Sequence, residues 1–128
     1  VFDIDFFKKI NDSHGHAAGD YVLKNLAQIV STKMVRSGDF FARYGGEEFV
    51  IILNGTAQKT ALEVAERIRT TIQTSSFQFE SKTIPVTVSL GVATRHPSET
   101  SWDLLFQRAD EALYRSKQSG RNRVTAAL

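Results

Sequence analysis

Phe40-Phe41-Ala42-Arg43-Tyr44-Gly45-Gly46-Glu47-Glu48-Phe49-Val50-Ile51-Ile52-Leu53 is the stretch on which the reading of the fold turns. Phe40 to Tyr44 and Phe49 to Leu53 are aromatic and β-branched runs, the composition of strands, and Gly45-Gly46-Glu47-Glu48 between them has the glycines of a turn. The pair is predicted to form a β-hairpin whose second arm is apolar enough to be central in a sheet. Asn54-Gly55-Thr56 closes that arm, and a helix is predicted to about Thr74 with Ala61, Leu62, Ala65, Ile68 and Ile72 on its buried face.

Upstream, Ser37-Gly38-Asp39 breaks a predicted amphipathic helix from Asp20 to Met34, where Val22, Leu23, Leu26, Ala27, Val30 and Met34 recur at steps of three and four. A loop to Gly19 is expected before it, and a short helix from Phe6 to Asn11 ended by Asp12-Ser13-His14-Gly15 before that. Downstream, Phe77 to Glu80 is a short strand. Val86, Val88, Leu90 and Val92 alternate with smaller residues as in a half-buried strand, and these two strands are expected to pair. Ser101 resembles an N-cap before a helix to about Ser119, with Leu105, Ala109, Ala112 and Leu113 inward and Gly120 as a left-handed stop, before a last strand from Val124 to Ala127. Strands and helices do not alternate strictly enough for a doubly wound sheet, so the expected class is α+β, a sheet sandwiched with helices.

The 128 residues, 41% apolar and 23% charged, suit one domain with a single core. There is no cysteine, which removes disulfides, thiolate metal sites and thiol nucleophiles and suits a reducing compartment. No apolar run approaches the roughly 20 residues that span a bilayer. The expected location of the domain is therefore cytoplasmic, without membrane contact of its own, which is compatible with a membrane anchor elsewhere in a longer protein. The start at Val1, without methionine and inside an apolar strand, reads as an N-terminally truncated fragment.

Two acidic groups lie where strands end: Asp3 with Asp5, and Glu47 with Glu48. If the first strand lies beside the hairpin, Asp3, the Ile4 carbonyl and one or both glutamates present hard oxygen ligands to Mg²⁺, which prefers few carboxylates plus substrate phosphate. Gly45 and Gly46 would let a nucleotide approach the backbone. Spacing alone fits a glycine turn flanked by solvated acids equally well.

Four separated motifs carry a resemblance: Asp3-Ile4-Asp5-Phe6-Phe7-Lys8-Lys9-Ile10-Asn11-Asp12, Gly15-His16-Ala17-Ala18-Gly19-Asp20, Arg43-Tyr44-Gly45-Gly46-Glu47-Glu48-Phe49, and Ala109-Asp110-Glu111-Ala112-Leu113-Tyr114 followed by Lys117 and Gly120-Arg121-Asn122-Arg123. In order and spacing they resemble the GGDEF family, here with glutamate in place of the aspartate of the name motif. The resemblance implies a mostly antiparallel sheet flanked by helices, like nucleotidyl cyclases and polymerase palms. It also implies a diguanylate cyclase, in which two GTP molecules, one on each subunit of a transient antiparallel homodimer, become cyclic di-GMP and two pyrophosphates.

By the same resemblance, Asp3, the Ile4 carbonyl and Glu47 ligate Mg²⁺, with Mn²⁺ as an alternative ion. Glu47 is also the proton acceptor, and Glu48 is a second-metal ligand. Phe6 and Phe7 amides touch phosphate, Lys8 stabilises charge developing in transfer, and Lys117 and Arg121 hold the triphosphate. Asn11 and Asp20 read guanine, whose N1–H and N2–H₂ suit a carboxylate and whose acceptors suit an amide; His16 contacts substrate. Arg36-Ser37-Gly38-Asp39 has the Arg-x-x-Asp spacing of the family's inhibitory product site, with Arg67 as a secondary contact, and the bland counterpart is a local salt bridge. The competing reading is a catalytically idle module that senses GTP or cyclic di-GMP. A nucleic-acid-binding role is the weakest, since the net charge is only +2 and the basic residues mostly fall in the nucleotide motifs.

Overall fold

In a computed structural model covering residues 1–128, the hairpin forms as β2 (Phe40–Gly45) and β3 (Glu48–Ile52). Arg43 stands opposite Phe49 and Gly45 opposite Glu48, with a register shift between them. Gly46 takes φ +49, a conformation that only glycine adopts freely, and its carbonyl accepts the Arg43 Nε–H at 2.7 Å, so the side chain of the first arm pins the turn.

β1 (Phe2–Ile4) lies antiparallel to β3 on one side and to β6 (Val88–Val92) on the other, and β7 (Val124–Ala126) adds in parallel beyond β6. The sheet order is β2-β3-β1-β6-β7, so the second arm of the hairpin is interior, as its apolar run predicts, and the first strand is interior beside it. Directly opposed residues share a face. Phe2, Phe49 and Leu90 therefore line one side, where Phe2 stacks on Phe49 with ring centroids 5.1 Å apart.

That side is covered by α2 (His16–Lys33) and α3 (Gln58–Thr74), through Val22, Leu26 and Val30 of the first and Ala65, Ile68 and Ile72 of the second. Full burial of Phe2 and Phe49 contributes about 2–3 kcal/mol each. α1 (Phe7–His14) packs on α2, and α4 (Trp102–Gln118) lies on the opposite side of the sheet. No helix is long and apolar enough to cross a membrane.

Four expectations change. The turn expected at Asp12-Ser13-His14 and the loop to Gly19 are both helix: α1 runs to His14, α2 begins at His16, and Gly15, at φ +92, is the whole connection. Phe77–Phe79, β4, does not pair with the later strand but with β5 (Lys82–Ile84), in a separate two-stranded ribbon. β6 is not half-buried; Val88, Ser89, Leu90 and Gly91 are all buried. Its alternation of large and small residues sorts two packed faces, not a packed face from a wet one. Leu62 and Leu105 are half-buried and fall outside the core.

The small residues of β6 let α4 approach. A Cβ on Gly91 would come within 2.2 Å of the Ala109 carbonyl oxygen and 2.3 Å of the Leu113 nitrogen, both backbone atoms that cannot swing aside. Ser116, fully buried, donates its hydroxyl to the Leu90 carbonyl at 2.7 Å and so fixes the helix along the strand. Ser101 caps the other end, accepting the Asp103 N–H at 3.2 Å.

Gly91→Ala is expected to destabilise the domain by about 1–3 kcal/mol or more, the cost of overpacking against an unyielding backbone. Gly45→Ala, where the added Cβ meets nothing within 4 Å, should stay within about 1 kcal/mol of wild type. Urea denaturation of the two variants checks the contrast.

Candidate active site

The pairing of β1 with β3 sets Asp3 directly across from Glu48, and the Ile4 amide donates to the Glu47 carbonyl at 3.2 Å. The two acidic groups thus meet, although Asp3 stands within β1, not after it. Lys117, from the last turn of α4, reaches Asp3 Oδ2 with its Nζ at 2.6 Å. Burial pushes the Asp3 carboxyl above its ordinary value; Lys117 works against the shift, and the Glu47 and Asp5 charges work with it. Burial also raises Glu48, with further contributions from the Asp110 carboxylate beside it and from Asp3. Asp3, Glu47, Glu48 and Asp110 together outweigh the single Lys117 ammonium, an excess of negative charge that a cation relieves.

No three Asp, Glu or His side chains are gathered closely enough to cage an ion by themselves. A hard divalent ion can be held by few carboxylates when a backbone oxygen and phosphate oxygens of a substrate complete its shell. Asp3, Glu47 and the Ile4 carbonyl are the residues whose chemistry suits it.

Next to this cluster the chain leaves β1 through Phe6, a non-glycine residue in the left-handed region at φ +55, ψ +37, which opens α1 without a side-chain cap. The first amides of α1 are therefore free of an intrahelical or capping partner and suit an anion. Lys8 is exposed in that first turn. Arg121 comes to it from the far end of the sequence, its guanidinium carbon 4.7 Å from the Phe6 ring centroid. Lys117, Arg121, Phe6 and Lys8 thus surround one end of the sheet.

Asp5, which the sequence pairs with Asp3 as an acid at the strand end, is 4% exposed and committed elsewhere. It accepts the Thr87 hydroxyl at 2.8 Å, the Ser89 hydroxyl at 2.6 Å and the Asn122 amide at 3.0 Å. Its role was legible only as the second acid of the first motif.

Asn11 lies on α1 and Asp20 on α2, and the packing of these helices brings their faces together. A Cβ on Gly19 would fall 1.8 Å from Asn11 Oδ1, so the Asn11 amide occupies the space that a side chain at Gly19 would take. Gly19 thereby seats Asn11 beside the helix that carries Asp20; composition offers no signal for this. His16 is exposed at the start of α2.

Arg36 and Asp39 are joined, with Nε to Oδ2 at 3.1 Å and a terminal nitrogen to Oδ1 at 3.2 Å. Arg36 also donates to the Asn54 carbonyl at 3.2 Å and to Thr56 Oγ1 at 3.0 Å, while Asp39 accepts the Asn54 amide at 3.2 Å. The Arg36 hydrogen bonds hold the Asp39 carboxyl below the usual carboxylate range. The pair therefore staples the α2–β2 connection to the β3–α3 connection, and no hydrogen bond or ion pair joins Arg67 to it.

The profile described as "Diguanylate cyclase, GGDEF domain" matches residues 1–123. The chain is 50% identical over 125 residues to "Diguanylate cyclase A" of Treponema denticola, an alignment covering 98% of this chain and 33% of the relative, so it spans about a third of that protein's length. The GGDEF domain of DgcB from Caulobacter crescentus, in complex with c-di-GMP, superposes with a TM-score of 0.91 at 41% identity over 98% of this chain and 74% of that one. The active GGEEF domain of a diguanylate cyclase from Vibrio cholerae does so with 0.88 at 37% identity, over 99% and 80%. Four motifs in order, a mixed sheet of the same plan and a match over nearly the whole chain converge on one conclusion: this chain belongs to the GGDEF domain family.

Proposed function

We propose that the domain is a diguanylate cyclase, condensing two GTP molecules into cyclic di-GMP and two pyrophosphates. The observation that carries the reading is the cross-strand placement of Asp3 against the Glu47-Glu48 turn, with Lys117 on Asp3 and the open start of α1 alongside. Asn11 and Asp20 select guanine, with His16 as a further substrate contact. The amides of Phe6 and Phe7, with Lys8, hold the α-phosphate side, and Lys117 and Arg121 hold the leaving pyrophosphate in line.

Asp3, Glu47 and the Ile4 carbonyl would hold Mg²⁺, or Mn²⁺ in its place, with Glu48 completing a second position; the ion neutralises triphosphate charge. A ligated Asp3 would release Lys117 toward phosphate. Glu47 takes the 3′-hydroxyl proton as that oxygen bonds to the α-phosphorus of the other GTP and the bond to pyrophosphate breaks. Repeating the step in the opposite direction closes the ring. One chain holds one nucleotide, so two chains must face each other as a transient antiparallel dimer, with Gly45 and Gly46 leaving room for the second nucleotide. The GTP pool places this chemistry in the cytoplasm, with no call for nucleic acid or membrane contact by the domain.

Arg36 and Asp39, with Arg67, are proposed to bind the product and brake the enzyme. Arg36 is the accessible partner, its side chain 63% exposed, and its guanidinium edge suits a guanine or phosphate.

Incubation with GTP and Mg²⁺ should yield cyclic di-GMP, at a rate rising more steeply than in proportion to protein concentration while the dimer is weak. Glu47→Gln should lower kcat by about 10²–10⁴ while GTP still binds by calorimetry. Absence of product at every protein concentration, or a Glu47→Gln variant of undiminished rate, opposes the reading.

Gly19→Ala should cost about 1–2 kcal/mol, since alanine favours a helix but its Cβ must displace the Asn11 amide and press the Phe7 ring, 3.1 Å away. Displacing Asn11 should raise KM for GTP about fivefold and narrow the preference for GTP over ATP, which carries an amino group where guanine has its O6 acceptor. Competition kinetics with the two nucleotides measure this.

Arg36→Ala should raise the cyclic di-GMP concentration needed for half-inhibition about tenfold or more, read from initial rates with added product. Unchanged inhibition removes Arg36 from the product site.

A further inference from the structure

The chain between α4 and β7 carries three consecutive residues at positive φ: Gly120 at +120, Arg121 at +65 and Asn122 at +46. Glycine does this freely and asparagine with tolerance, but arginine does not, so the surroundings must impose the conformation at Arg121. They do so from three directions. The Arg121 amide donates to the Ser116 carbonyl at 3.0 Å, which ties the turn to α4. The Asn122 amide donates to the buried Asp5 carboxylate at 3.0 Å, and the Asn122 side-chain carbonyl accepts from the Arg69 guanidinium of α3 at 3.1 Å. Asp5 is itself held by the Thr87 and Ser89 hydroxyls, and Arg69 by Glu66 and by Gln73 at 3.0 Å.

The outcome of this clamp is the direction of one side chain. Arg121 projects over the ring of Phe6, itself left-handed, at the open end of α1. We infer that Asp5 and Arg69, neither of which belongs to the nucleotide-contacting set, are positioning residues for the triphosphate: by gripping Asn122 from the sheet and from α3, they hold Arg121 where the phosphates lie. Asp5 serves the site through the backbone of the Asn122 turn and not as a metal ligand. This rests on the reading of Arg121 as a triphosphate cation.

The test is a cycle of binding measurements by calorimetry on the intact chain with Mg²⁺, using the α,β-methylene analogue of GTP, which cannot be cleaved at the reacting bond. Arg121→Ala should weaken binding about tenfold or more. Arg69→Met should weaken it about fivefold, the worth of one hydrogen bond, with most of the loss recovered in Arg69→Lys. Asn122→Gly keeps the left-handed backbone but removes the acceptor, so it should match Arg69→Met without disturbing α3. In the Arg121→Ala background neither change should have further effect. Wild-type affinity in both Arg69→Met and Asn122→Gly, or equal losses with and without Arg121, overturns the positioning role. Wild-type affinity in Arg121→Ala instead removes the cyclase reading's triphosphate cation, and this inference with it.

Discussion

The register of β1 between β3 and β6 is the constraint from which the rest of the structure follows. Phe2 opposes Phe49 and Leu90 on one face, and Asp3 opposes Glu48 and Ser89 on the other. Because side chains alternate, a slip of one residue would send Phe2 to the α4 side and Asp3 into the apolar core. The large apolar loss on one face therefore enforces the meeting of acids on the other. Packing of the Phe2, Phe49 and Phe41 rings supplies the stability, and the carboxylates are held together as a consequence despite their repulsion.

Absent side chains matter as much as present ones. Gly91 lets the α4 backbone lie on β6, and that approach carries Lys117 to Asp3. Gly19 leaves the space that the Asn11 amide fills. In both places a glycine far from any reacting atom decides where a polar group sits, since a helix that stood off by the thickness of a methyl group would miss its partner.

Buried charge is divided between two duties. Burial raises the protonation equilibria of Asp3 and Glu48, and the neighbouring acidic charges add to the shift. Asp5, two residues on, has its oxygens filled by two hydroxyls and an amide and serves as an anchor. Arg36 and Asp39 form a surface counterpart, a closed pair whose arginine alone faces solvent.

By itself the sequence determined the hairpin, the interior place of its second arm, the amphipathic helices, the Ser101 cap and the last strand, because each rests on local periodicity or turn chemistry. It also determined the family, since four motifs in order need no coordinates to match. It misjudged the start of α2, where His16-Ala17-Ala18-Gly19 lacks a helix's apolar rhythm, and the partner of Phe77–Phe79, because pairing depends on which chain segment is nearest in space. It read β6 as half-wet because small residues facing a helix and small residues facing water look alike in one dimension. Only the tertiary structure decided that Asp3 faces Glu48, that Asp5 turns to Asn122, and that Arg69 reaches the same turn from another helix. These contacts join residues 45, 117 and 53 positions apart, and such distances are closed by packing, which no local pattern encodes.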